Sequence, residues 1–427
     1  MKRVSTLKAR DGYLIVTSVW LVSCLIGSIP FLVSGTFDNF VDAFFESCSG
    51  FTTTGATVID DLESVSMPIL FWRSLTHWLG GMGIVVLFMA LIPAFGINGQ
   101  IAAYSETPGP SKGKLTARFA DTAKILYFIY TGFTAVEVIL LKITGMSWFD
   151  AVTTSFSTMG TGGFANTSSN AGSFSVLAKI IVIIFMIIAG INFNLYYKAL
   201  KHGIKAITRD QEAKFYFRLI AIWSILIFVR LISFGVYSDM PGALLDSVFH
   251  VVSIITTTGF TFGNYELWPT FSKMMLFLLF FVGGCACSTG GGIKVSRVQI
   301  ALKLIKRSFS LRVHPYRVAP ITINNSEVST ETTIRSVGFI FMYMVTLLIG
   351  SLLISIDRLG FMTSLSASAA CLGNVGPGFG LVGPAFTYSA LSGLSKMVCS
   401  MLMLAGRLEL YTVFVLFSRY YWNPNRS

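Results

Sequence analysis

Four short clusters carry the chemistry open to this sequence: Thr52-Thr53-Thr54-Gly55-Ala56, Met159-Gly160-Thr161-Gly162-Gly163, Thr256-Thr257-Thr258-Gly259-Phe260 and Gly373-Asn374-Val375-Gly376-Pro377. Rings of backbone carbonyls can replace the water shell of an ion such as K⁺, provided each turn is extended and its carbonyls face a common lane. Glycine permits the left-handed backbone angles such a turn requires and leaves no side chain in the lane. The clusters align on Gly55, Gly162, Gly259 and Gly376. Thr54, Thr161 and Thr258 precede three of these, where a hydroxyl or carbonyl can add an oxygen ligand, and Val375 precedes the fourth. The expected ion-contacting set is Thr53, Thr54, Gly55, Gly160, Thr161, Gly162, Thr257, Thr258, Gly259, Asn374, Val375 and Gly376. One Thr-Thr-Gly alone reads as a turn in an outer loop, whereas four at equivalent places in a repeat favour a shared site.

The elements that must position these clusters recur with them. Each cluster follows an apolar run and a short amphipathic stretch, and precedes a polar loop and a second apolar run. The four units are Tyr13 to Val33, Phe40 to Cys48 and Ile69 to Phe95; Ile125 to Ile143, Trp148 to Phe156 and Val176 to Tyr197; Phe217 to Val236, Ala243 to Ile254 and Met274 onwards; and Val337 to Ile356, Phe361 to Ala370 and Leu394 to Phe417. A period of a quarter of the chain divides it at 1–98, 99–205, 206–320 and 321–427. The amphipathic stretches are about 10 residues long, too short to cross about 30 Å of hydrocarbon, so they turn back. Bare backbone at membrane depth survives only where protein or a watery pathway satisfies it, which brings four such turns to one axis. The expected fold is an all-α polytopic membrane protein of four helix–re-entrant half-helix–helix repeats, with pseudo-fourfold symmetry around a central pore. Half-helices that enter from outside aim their negative C-terminal ends at that axis, favouring a cation.

Composition supports the same class. Of 427 residues, 53% are hydrophobic and only 12% charged, with a mean hydropathy of +0.70. A soluble enzyme is excluded. The net charge of +12 does not indicate nucleic acid, because the Lys and Arg gather in patches: Lys2 to Arg10, Lys112 to Lys124, Lys198 to Arg218, Lys294 to Arg335 and Arg419 to Arg426. Between them, Thr36 to Trp72, Gly145 to Ala178, Ser238 to Ser272 and Ile356 to Ser395 together hold one basic residue, Arg358, against eleven Asp and Glu. The positive-inside rule places these four segments outside and both termini in the cytoplasm. The first apolar run is too long for a cleaved secretory signal, so it counts as a spanning helix. No soluble domain is attached, so a regulatory domain is expected on a separate chain. The six cysteines read as small buried residues, and Cys285-Ala286-Cys287 lacks neighbouring ligands for a metal. A membrane-embedded enzyme using Cys285, Cys287 and His250 is the competing class; no nucleophile-plus-base or phosphate-cradling pattern supports it.

Two features lie below the expected ring. The second run of the third unit is interrupted by Gly283-Gly284 and Ser288-Thr289-Gly290-Gly291-Gly292. Each interior glycine costs about 1 kcal/mol against alanine, so the helix breaks there, and a break on the cytoplasmic side makes a flexible plug under the pore. A glycine-rich helix-packing face is the alternative. Arg407 stands midway along the last run, where a basic side chain needs a polar cavity or a partner, either the pathway or Glu409 and nearby carbonyls. The expected gate is Gly283, Gly284, Cys287, Ser288, Thr289, Gly290, Gly291, Gly292 and Arg407. Lys294 and Arg297 are expected at the inner membrane surface as anchors or partner contacts.

Across nearly its whole length the sequence resembles the Trk/Ktr/HKT superfamily of K⁺ transporters, most closely its TrkH branch. The resemblance rests on Thr52-Thr53-Thr54-Gly55-Ala56-Thr57, Thr256-Thr257-Thr258-Gly259-Phe260, Gly376-Pro377-Gly378, Gly283-Gly284-Cys285-Ala286-Cys287-Ser288-Thr289-Gly290-Gly291-Gly292-Ile293-Lys294 and Gly406-Arg407-Leu408-Glu409. It implies K⁺ uptake across the plasma (inner) membrane, four filter glycines that go with K⁺ over Na⁺, and an intramembrane gating loop with the arginine near it below the filter. It also implies a homodimer with two pores and a cytosolic ring of TrkA- or KtrA-like subunits binding NAD or ATP/ADP. K⁺ is then cargo, and no organic cofactor is expected in this chain. Transport of Na⁺, or Na⁺-coupled K⁺ uptake, is the alternative within the superfamily. TrkH-type chains carry an extra helix pair before the first repeat; its lack here implies a shorter KtrB-like form or a truncated chain.

Overall fold

The computed structural model describes residues 9–91, 119–168 and 170–422. Most of the basic patches Lys2 to Arg10 and Lys112 to Lys124, together with Arg426, lie outside the described residues. The first quarter contains α1 (Ala9–Val33), α2 (Phe40–Phe51) and α3 (Met67–Leu91). The second contains α4 (Phe119–Ile143), α5 (Trp148–Gly160), α6 (Val176–Gly190) and α7 (Phe193–His202). The third contains α8 (Gln211–Ser233), α9 (Met240–Ile255), α10 (Thr270–Leu279) and α11 (Val295–Val313). The fourth contains α12 (Thr330–Ile354), α13 (Phe361–Gly373), α14 (Gly393–Arg407) and α15 (Tyr411–Phe414). Beside these helices, a two-residue hairpin, β1 (Thr322–Ile323) with β2 (Ser326–Glu327), packs Ile321, Ile323 and Val328 on Ile300 of α11.

The first helix of each quarter, α1, α4, α8 and α12, is 23 to 25 residues long. At 1.5 Å per residue each spans a bilayer. Of the second helices, α3 runs unbroken over 25 residues, while those of the other three quarters are interrupted. The apolar run Val176 to Tyr197 bends by 91° between α6 and α7, and Leu394 to Phe417 bends by 108° after α14. The third breaks into α10 and α11 around the glycine-rich segment, as expected. Four described helices are long and apolar enough to cross, or six if each bent pair counts as one span. The bend after α6 frees the carbonyls of Ala189 and Gly190, and the glycine-rich loop uses them: Cys285 N–H donates to Gly190 O (2.9 Å) and Thr289 N–H to Ala189 O (3.4 Å).

The half-helices α2, α5, α9 and α13 extend to the clusters themselves. Three start on polar caps, where Asn39, Ser147 and Asp239 accept from Asp42, Asp150 and Gly242 N–H. Such caps satisfy donors that the first turn leaves free.

Candidate ion-conduction site

All four half-helices stop in the same way. Thr53, Thr161, Thr257 and Asn374 take left-handed angles, with φ of 54°, 54°, 57° and 55°. Their N–H groups donate three residues back, to Gly50, Thr158, Ile254 and Cys371 O, at 2.9–3.3 Å. The next N–H groups, of Thr54, Gly162, Thr258 and Val375, donate five residues back, to Ser49, Ser157, Ser253 and Ala370 O, at 2.8–2.9 Å. This paired pattern is the Schellman ending, which normally uses glycine at the left-handed position. Threonine there is a conformational outlier, and outliers of this kind cluster at functional sites.

One residue beyond each pair stands a second left-handed position, occupied by Gly55, Gly163, Gly259 and Gly376, with φ of 81°, 77°, 79° and 94°. The second quarter is therefore one residue out of the register expected from sequence. Gly163, not Gly162, is the counterpart of the other three glycines, and Gly162 is the counterpart of Thr54, Thr258 and Val375. Thr161 accordingly matches Thr53, Thr257 and Asn374.

The four turns close on one another. A Cβ on Gly55 would lie 1.9 Å from Gly162 O, one on Gly163 2.1 Å from Thr258 O, one on Gly259 2.0 Å from Val375 O, and one on Gly376 2.5 Å from Thr54 O. Each quarter thus presses its glycine against the carbonyl of the residue before the glycine in the next quarter, and the fourth returns to the first. The expected convergence on one axis is met, and the close approach needs glycine at all four places. The Thr54 and Thr258 hydroxyls sit 2.8 Å from those of Thr52 and Thr256. Asn374 Nδ2 donates to the Thr54 hydroxyl (3.0 Å) and to Met403 O (3.0 Å). These two hydroxyls are therefore engaged within the protein, while their carbonyls form part of the ring.

Beneath the ring lies the loop of residues 283–292. Gly291 N–H donates to the Thr257 hydroxyl (2.7 Å), and a Cβ on Gly291 would meet Gly373 O at 2.7 Å. Glu212 Oε1 accepts from Ala286 N–H (2.7 Å) and Ser296 N–H (3.2 Å), which ties the loop to α8 and α11. Arg407 is buried and bridges three quarters: its guanidinium donates to Thr289 O (2.6 Å) in the loop, and to Gly80 O (2.8 Å) and Gly81 O (3.4 Å) on α3. Gly80 and Gly81 in turn abut Phe51 O and the Gly160 Cα. Arg407 and the expected gate residues are thus brought together directly below the turns. Glu409 pairs with Arg297 instead of Arg407. Lys294 and Arg297 are not surface anchors: both are buried, Lys294 Nζ bonds Gly290 O, and Arg297 lies over the Phe339 ring (3.8 Å).

One pair behind the ring escaped the sequence reading. Glu46 and Arg73, 0% and 1% exposed, form an ion pair of 2.8 Å. Glu46 also accepts from Thr57 Oγ1 and Val58 N–H, and Arg73 donates to Ala165 O (3.1 Å) and covers the Phe164 ring (4.0 Å). The pair thereby fixes the segments that leave the first two turns. Breaking a buried pair by removing one partner typically costs about 3–5 kcal/mol.

The TrkH family, described as a cation transport protein, matches residues 1–423. The chain belongs to the TrkH family. TrkH-family relatives include the Trk system potassium uptake protein TrkH of Escherichia coli K12, 36% identical over 99% of this chain and 88% of that protein. The TrkH of Halomonas elongata is 38% identical over 97% of this chain and 86% of that protein. Among solved structures, the potassium transporter TrkH from Vibrio parahaemolyticus superposes with a TM-score of 0.89 at 34% identity, covering 99% of this chain and 88% of that one. The TrkH family is one of membrane transporters, not enzymes.

Proposed function

We propose that this chain takes up K⁺ through the ring formed by Thr54-Gly55, Gly162-Gly163, Thr258-Gly259 and Val375-Gly376, with the left-handed residues Thr53, Thr161, Thr257 and Asn374 at its inner edge. The observation that carries the reading is the closed cycle of glycine-to-carbonyl contacts, which sets oxygen atoms from four quarters around one axis. Glycine at every corner, together with relatives named for potassium uptake, favours K⁺ over Na⁺. An inside-negative potential contributes about 2.3 kcal/mol per charge per 100 mV, so inward flow needs no catalytic step. The loop of residues 283–292, fastened by Arg407, is the gate. The chain sits in the plasma (inner) membrane with the ring toward the outside and both termini in the cytoplasm. It works as a homodimer with a cytosolic TrkA- or KtrA-like ring that binds NAD or ATP/ADP, docked on the basic inner segments.

Rb⁺ and Na⁺ uptake in K⁺-uptake-deficient cells tests this. Cells with the chain are expected to accumulate Rb⁺ in preference to Na⁺, and Gly259→Ser to lose that preference. An unchanged preference refutes the ring as the filter, and a native preference for Na⁺ assigns the chain to Na⁺ transport.

A further inference from the structure

The second quarter holds a carboxyl group that conduction through the ring leaves unused. Glu137 lies on α4, about 9 Å of helix from its outer end, and is fully buried. Neither of its carboxyl oxygens has a hydrogen-bond partner. The hydroxyls beside it have already committed their protons. Thr134, one turn earlier on the same face, donates to Tyr130 O (2.9 Å), and Thr158, facing it from α5, donates to Thr154 O (2.8 Å).

The titratable and charged groups on the elements packed around α4 are also engaged or remote. On α3, Arg73 holds Glu46, and His77 Nδ1 pairs with Gly50 O. On α5, Asp150 accepts from Ser147 and Asn166. On α6, Lys179 covers Phe262, and on α7, Tyr196 donates to Ile188 O while Lys198, Lys201 and His202 sit beyond it toward the exposed end. On α4 itself, Tyr130 donates to Trp78 O, and Lys142 donates to Met146 O at the outer end.

Among the described residues no cation faces Glu137 and no group bonds its carboxyl; the Thr158 hydroxyl is the one donor near enough to turn to it, and doing so would give up its bond to Thr154 O. An ionised carboxylate accepts only, whereas a protonated one donates. A metal ion would require a shell of oxygens that two hydroxyls do not supply.

We propose that Glu137 is a proton-binding site inside the bilayer, and that its proton holds the second filter turn in place. The link is short: Thr158, beside the carboxyl, offers its carbonyl to Thr161 N–H (3.0 Å), the left-handed residue of that turn. Loss of the proton leaves an uncompensated charge next to this ending, and the charge is relieved only by movement of α5 or entry of water.

The full chain in lipid vesicles tests the site. The infrared spectrum of the wild type at neutral pH is expected to contain a protonated-carboxyl C=O band that Glu137→Gln lacks; no lost band overturns the proposal. If Glu137→Gln does not fold, mass spectrometry of the wild type after treatment with a hydrophobic carbodiimide, which attacks protonated carboxyls, decides it. An adduct at Glu137 at neutral pH supports the site and its absence overturns it, as does protection by K⁺ or Na⁺ at fixed pH. These arms do not depend on conduction, so they stand apart from the proposed K⁺ uptake. For the link to the filter, wild-type Rb⁺ flux is expected to fall severalfold at alkaline pH while Glu137→Gln flux holds; an equal fall in both overturns the link.

Discussion

The ring and the loop beneath it are both glycine-rich backbone without a covering of side chains, yet opposite means hold them. Each turn of the ring is closed by hydrogen bonds to its own half-helix, repeated four times, and the quarters touch main chain to main chain. The loop is held from outside its own sequence, by Arg407, Lys294, Glu212, the Thr257 hydroxyl and the broken end of α6. A turn tied into its own helix moves only with that helix, whereas the loop, besides its main-chain bonds to Ala189, Gly190, Ile293 and Val295, depends on distant side chains and loosens where those side chains swing away. Under the proposed function the ring is the permanent part and the loop the movable one, although their compositions are alike.

The largest effect tests the permanent half. Gly163→Ala places a methyl against Thr258 O at a φ of 77°, and is expected to lower Rb⁺ flux or its preference over Na⁺ by at least about tenfold. Gly132→Ala on α4 meets nothing within 4 Å and should leave both unchanged. Equal behaviour of the two variants in vesicle flux would break the comparison.

The next tests address the releasable half. Arg407→Gln removes charged hydrogen bonds worth about 1.5–3 kcal/mol each, so basal Rb⁺ leak is expected to rise about tenfold or more. Thr257→Val deletes one neutral acceptor, worth about 1 kcal/mol, and should raise leak about fivefold. A leak that rises for Thr257→Val but not for Arg407→Gln would move the clasp from the arginine to the threonine.

The smallest effect lies in the polar loops after the half-helices, remote from both. Hydrogen bonds from the Ser168 hydroxyl and N–H lower the Glu63 carboxyl to about 2. A depressed carboxyl contributes its tie above the ordinary glutamate range and loses it only as pH falls through about 2. Uptake measured in mildly acidic medium should therefore be unaffected at this link, and Glu63→Gln should change it by no more than about twofold. A larger loss would show that the outer loops, and not the ring alone, set the pathway.

The sequence made the four turns legible because each is a local cluster whose residue types suit only unusual backbone. It could not set the register of the second quarter, where Gly162 and Gly163 are both glycine and only the closing contact with Thr258 O decides which takes the left-handed angle. The bend after Gly190 was hidden by the unbroken apolar run from Ile180 to Ile191; Gly190 and Asn192 were its only marks. Lys294 and Arg297 followed a basic pattern that reads as surface, but their partners, Gly290 O and Glu409, come from the loop and from the far end of the chain. Arg73 was overlooked although a signal existed. Each acidic outer segment is followed at once by a basic residue, namely Arg73, Lys179, Lys273 or Lys396. Each of these reaches an acid, a ring or a carbonyl near the outer mouth.

The most direct measurement is anomalous scattering from crystals of the chain grown in Rb⁺. The account expects Rb⁺ peaks on the axis shared by Thr54-Gly55, Gly162-Gly163, Thr258-Gly259 and Val375-Gly376. Ordered Rb⁺ elsewhere in the membrane region, with none on that axis, would contradict it.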